Sequence, residues 1–143
     1  MSTSHLDLSN LHKALAQLEE ANVFWLARED GDKLKPHLRS AVLQSFEYTY
    51  ELAVRGVRRA LLERAESAET VKDLSYNDVL RSALNAGLSM DFDAWRSWRD
   101  MRNGTSHAYE EERAQDMAER AAVFIADVHT LLPGLVAMAK PSA

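Results

Sequence analysis

Cysteine is absent from this chain, which excludes a disulfide framework, a thiolate metal site and a cysteine nucleophile. Glycine and proline are scarce, at 5 and 3 residues, and leave too few turn formers for an all-β fold of many short strands. A basic balance is also missing. The net charge is −5, which argues against broad electrostatic attraction to nucleic acid, so any such contact has to be local. The opening residues MSTSHLDLSN lack the basic and then apolar order of a secretory leader. No stretch is expected to reach the ~18 apolar residues of a membrane span. A soluble, cytoplasmic protein without membrane contact is the expectation.

What is present is apolar periodicity. Of the 143 residues 46% are hydrophobic, enough for one helical domain over residues 1–143 with a core that needs no metal. Leu8, Leu11, Leu15, Leu18, Ala21 and Trp25 recur at steps of three or four and predict a helix from Asp7 to Ala27, ended by the polar turn around Gly31 and Asp32. Pro36 suits the first turn of a second helix reaching Ala65, with Val42, Phe46, Thr49, Tyr50, Ala53, Val57 and Leu61 on its inner stripe. At ~1.5 Å per residue it spans roughly 45 Å. Glu66 to Leu74 reads as a polar connection. Ser75 with Asp78 resembles a capping box for a short helix stopped at Gly87, and Asp91 caps a fourth main helix carrying Trp95, Trp98, Arg99 and Arg102 on one side. A last helix runs from Ala108 to Leu132, closed by Pro133 and Gly134. The expected fold is all-α, an antiparallel four-helix bundle with an additional short helix.

Chemistry concentrates in the run RNGTSHAY, Arg102 to Tyr109. Arg102 and His107 are five residues apart and would point about 140° away from each other in an unbroken helix. The weak helix formers Asn103, Gly104, Thr105 and Ser106 predict a break there. An imidazole that titrates near neutrality can move the proton of a ribose 2′-hydroxyl or protonate a departing 5′-oxygen. A guanidinium can hold the non-bridging oxygens as charge builds on phosphorus. That pair is what RNA cleavage without a metal requires, and the chain has no Cys or His set suited to zinc and no carboxylate cluster at the motif suited to magnesium.

The string RNGTSHAY closely resembles the R-x4-H-x-Y motif of HEPN proteins of the HepT type, and FEYTYELAVRG, Phe46 to Gly56, is similar to a second block of that family, also described as nucleotidyltransferase substrate-binding proteins. Val54 and Arg55 stand where relatives often carry tryptophan and lysine. The similarity covers roughly Leu8 to Leu132. It implies a HEPN-like bundle, a homodimer, and pairing with a minimal nucleotidyltransferase as toxin and antitoxin. On that resemblance Arg102 and His107 are the pair of a metal-independent endoribonuclease acting on RNA, Tyr109 is the AMP acceptor, Asn103 shapes the substrate pocket, and no cofactor or metal is needed. The alternative from the same resemblance is a non-catalytic subunit that presents Tyr109 or a docking face to the nucleotidyltransferase.

Other readings of these residues stay open in the sequence. His107 is equally a capping or solvated histidine, Arg102 a partner of Asp100 or of Glu110 to Glu112, and Tyr109 a packing residue. Trp95 and Trp98 fill a core or a dimer seam. Arg55, Arg58, Arg59 and Arg64 form either a solvated helix face or a guide for RNA. His5, His12, His37 and His129 have no metal-ligand spacing and receive no role.

Overall fold

The computed structural model describes residues 6–65 and 67–139, all of whose regular structure is helical. The polar start with His5, and Glu66 of the expected connection, lie outside the described residues.

Helix α1, Ser9–Ala27, buries Leu11, Leu15, Leu18 and Trp25 as the periodicity requires. It begins two residues after Asp7 because the Asp7 carboxylate accepts the Ser9 N–H at 2.9 Å and ends the preceding chain there, a bond that also lowers the Asp7 pKa. The turn to α2 uses Gly31 at φ 91°, in the left-handed region. Asp32 accepts the Leu34 N–H at 2.8 Å, and Lys35 reaches back to the Arg28 carbonyl at 2.7 Å. Helix α2, Lys35–Arg64, is the spine of the molecule and packs against every other main helix. Its one fully buried hydroxyl, Thr49, is satisfied within the helix by donating to the Ser45 carbonyl at 2.7 Å.

The expected connection contains a short helix, α3, Ala68–Lys72, because Ser67 supplies an N-cap by accepting the Glu69 N–H at 3.3 Å. Helix α4, Tyr76–Asn85, starts at the predicted box, with Ser75 Oγ accepting the Asp78 N–H at 3.2 Å. Helix α5, Phe92–Gly104, is capped by Asp91, whose carboxylate accepts the Ala94 N–H at 2.8 Å. Such a cap contributes about 1 kcal/mol. It fixes the start of the helix that ends in the motif.

The last helix departs from expectation at both ends and in the middle. Ala108 to Glu110 form turns, so α6 begins later, Glu111–Glu119, and α7, Ala121–Ala139, follows after a break at Arg120. There the Val123 and Phe124 N–H groups both turn to the Arg120 carbonyl at 3.2 Å, and the Arg120 guanidinium lies 5.3 Å over the Trp98 ring. Pro133 and Gly134 do not close the helix. Pro133 sits on the exposed side, while Leu131, Leu132 and Leu135 hold the continuing turn in the core. Gly134 permits a close approach, since a β-carbon there would stand 2.9 Å from Leu88 Cδ2.

By length and composition the run ending in α7 is long and apolar enough to cross a membrane, contrary to the expectation that no stretch reaches that length. Its inner face is occupied within the bundle: Phe124, Val128, Leu131 and Leu135 are fully buried. Phe124 meets Phe46, Trp95 and Trp98 edge to face, at centroid distances of 4.7, 5.9 and 5.3 Å. Both indoles are therefore core, at 1% and 3% exposure, and do not offer a seam to a partner. The Trp98 N–H is satisfied by Asp127 at 2.8 Å.

Candidate functional site

The RNGTSHAY run begins on a helix and leaves it. Arg102, Asn103 and Gly104 are the last residues of α5, and Thr105–His107 tighten into one 3-10 turn. Thr105 explains the tightening. Its buried hydroxyl donates to the Arg102 carbonyl at 2.7 Å, and its own carbonyl accepts the Ala108 N–H at 3.0 Å. Ser106 donates to the Asn103 carbonyl at 3.4 Å, while the Asn103 side chain faces solvent. The weak helix formers thus produce a break, as their composition predicts, but an ordered one.

Arg102 is held by a residue that sequence reasoning did not single out. Its Nε and Nη2 donate to the same Glu51 carboxylate oxygen on α2 at 2.9 and 2.5 Å, and this bond raises the guanidinium pKa further. Neither Asp100 nor the Glu110 to Glu112 run is its partner. Glu51 lies inside FEYTYELAVRG, so one ion pair ties the two sequence blocks together. Both side chains are partly exposed, which keeps the pair's net contribution to stability within about 1 kcal/mol and leaves the guanidinium reachable by an anion.

His107 is exposed at the end of the 3-10 turn, and its ring lies 6.1 Å from that of Tyr109, inclined at 44°. Tyr109 is 79% exposed, so it is not a packing residue. The fold therefore brings His107 to Tyr109 and Arg102 to Glu51, and among the described residues no hydrogen bond joins Arg102 to His107.

Behind Arg102, Tyr76 donates to the Trp95 carbonyl at 2.9 Å and stacks under Arg99 at 4.9 Å. Burial raises the pKa of both Tyr50 and Tyr76, which keeps the phenols neutral beneath the charged surface. Among the described residues no three His, Asp or Glu side chains are grouped so as to hold a metal ion. The arrangement offers a cation for a phosphate and an exposed imidazole beside an exposed phenol.

Known proteins share this plan. The chain is 31% identical over 140 residues to a Haemophilus influenzae protein named probable ribonuclease HepT, covering 94% of this chain and 95% of that one. A solved Haemophilus influenzae structure, described as the fold of a substrate-binding domain of a nucleotidyltransferase, superposes with a TM-score of 0.83 at 29% identity, covering 91% of this chain and 99% of the other. The all-α, HEPN-like bundle expected from the sequence is the fold observed. Residues 6–137 match the family described as nucleotidyltransferase substrate binding protein like, and the chain belongs to that family.

Proposed function

We propose that this chain is the toxin of a HEPN and minimal nucleotidyltransferase pair, a metal-independent endoribonuclease neutralised by AMP on Tyr109. The observation that carries the reading is the motif's layout: a partly exposed Arg102 in the last turn of α5 and an exposed His107 at the end of the 3-10 turn that follows, with Tyr109 open to solvent beside the imidazole. The ribonuclease name of the relative supports it.

In the reaction, the ribose 2′-oxygen attacks phosphorus, its proton passes to an imidazole, and the 5′-oxygen leaves with a proton from an imidazole. Arg102 exchanges part of its Glu51 contact for the non-bridging oxygens as their charge grows. With His107 the one histidine of the motif in each chain, the two proton transfers call for a homodimer in which two motif surfaces face each other, one His107 taking the proton and the other giving it. Tyr48, exposed one turn before Glu51 on α2, and Tyr109 supply aromatic surface at that seam in place of the buried indoles. A monomeric mass by light scattering at micromolar concentration would remove the paired site.

Because imidazole and guanidinium supply both proton transfer and charge stabilisation, cleavage should proceed undiminished in EDTA and yield 2′,3′-cyclic phosphate and 5′-hydroxyl ends. Loss of activity on chelation, or 3′-hydroxyl products, counts against the mechanism. The second reading, a non-catalytic subunit docked on a nucleotidyltransferase, is favoured by one observation. Within a single chain Arg102 is engaged by Glu51 and not by His107. Intact RNA after incubation with the purified chain would place that reading first.

A further inference from the structure

The outer side of α2 continues past Glu51 as a charged surface. At 100° per residue Glu51, Arg55 and Arg58 fall within roughly 60° of arc, and Arg59 extends it by about 40°. Along the axis Glu51 and Arg59 are ~12 Å apart. Helix α3 packs back on α2 and brings Lys72 to the same place. Between the two helices lies a groove of about 510 Å³ lined by Arg55, Arg58, Arg59 and Lys72, over a floor of Leu62, Val71 and Leu74.

These cations are little neutralised. Among the described residues Arg55, Arg58 and Lys72 make no ion pair, and Arg59 has only a 4.0 Å contact with Glu63. In a chain of net charge −5, four cations gathered in one groove are a local reversal of sign. The groove lies near the motif, since Arg55 and Arg58 follow Glu51, the partner of Arg102, by one and two turns of α2. Glu51, bound by Arg102, and Glu47 are acids at that end, Glu63 is an acid at the other, and Asp7 lines an adjoining hollow with Arg55 and Arg59 without forming an ion pair with either.

Cations along a groove with an apolar floor match a polymer of phosphates carrying apolar bases. The guanidiniums meet phosphates or stack on base planes, and the floor receives a base or ribose face. We infer that the α2/α3 groove is a track for the phosphate backbone of the single-stranded RNA flanking the scissile phosphate, contacted by Arg55, Arg58, Arg59 and Lys72. The identity of the polymer rests on the ribonuclease reading above. Contacts of this kind position the strand and carry no base sequence.

The test uses the full chain carrying His107→Ala, so that RNA is bound and not consumed, with a fluorescent single-stranded oligouridine read by anisotropy across a salt series. The comparison protein adds Arg55→Gln, Arg59→Gln and Lys72→Gln, all exposed positions, with its thermal unfolding checked against the parent. Every phosphate that is no longer neutralised lowers the slope of log affinity against log salt by about 0.7, so the triple variant should fall by about 2 units of slope and bind at least ~10-fold more weakly at low salt. Lys72→Glu alone, on the separate helix α3, should shift the slope in the same direction. Equal affinity and slope in parent and variants would overturn the track, and so would a parent that does not bind RNA. The ribonuclease reading is judged separately, by cleavage with His107 intact: groove-dependent binding by a chain that never cleaves RNA would sustain the track and end that reading.

Discussion

Replacing His107 by alanine should lower RNA cleavage by the purified chain about 10²–10⁴-fold, the range that a positioned proton-transfer group contributes. It should also abolish growth arrest when the chain is expressed without its nucleotidyltransferase. The 2′-hydroxyl is a poor nucleophile until its proton is drawn off, and His107 is the one imidazole in the RNGTSHAY run. The fold should not change. The His107 side chain is exposed, and the local structure depends on its main-chain carbonyl, which accepts the Glu110 N–H at 3.0 Å and is retained in alanine. Arg102→Ala is a less clean probe, because it removes a phosphate contact and also strips Glu51 of its partner. The measurement is initial cleavage rate beside circular dichroism. A variant that keeps its helices and more than a tenth of the parent rate removes His107 from the chemistry.

The parts of this molecule legible in the sequence were those written in neighbouring residues. The caps Ser75 and Asp91, the inner stripe of α2 and the break after Gly104 each follow from the chemistry of a few adjacent positions, and each is found where the sequence puts it. What stayed hidden was written between distant residues. Glu51 is off the apolar stripe of α2, and nothing local distinguishes it from Glu47 until α5 lays Arg102 against it. The interruption at Arg120 and the passage of α7 through Pro133 are decisions of packing, one made around Trp98 and the other by leucines of the core, and both override the local signal. Lys72 joins Arg55 and Arg58 only because a helix forms at Ser67 in what reads as a polar linker.

On the proposed reading, control of the site falls to Tyr109. A nucleotidyltransferase needs an acceptor it can enclose, and at 79% exposure this phenol is the most open of the exposed large hydrophobic side chains among the described residues. Its oxygen would attack the α-phosphorus of ATP, pyrophosphate would leave, and the phenolic proton would go to solvent. The product is a tyrosyl adenylate with one added phosphodiester charge. With the His107 ring 6.1 Å away, that charge and the bulk of the nucleotide stand where the RNA phosphate has to lie, so binding should be lost by both repulsion and crowding. Tyr109→Phe removes the acceptor oxygen and keeps the ring, and should leave unfolding unchanged because the side chain is exposed. Incubated with the cognate nucleotidyltransferase and ATP, the unsubstituted chain should gain whole AMP units by intact mass and lose cleavage. Tyr109→Phe should keep its mass and continue to cleave. In cells it should be toxic even with the partner co-expressed. Equal labelling of both proteins would remove Tyr109 as the acceptor. An active partner that never labels the unsubstituted chain would end neutralisation by AMP for this protein and leave the docking-subunit reading in its place.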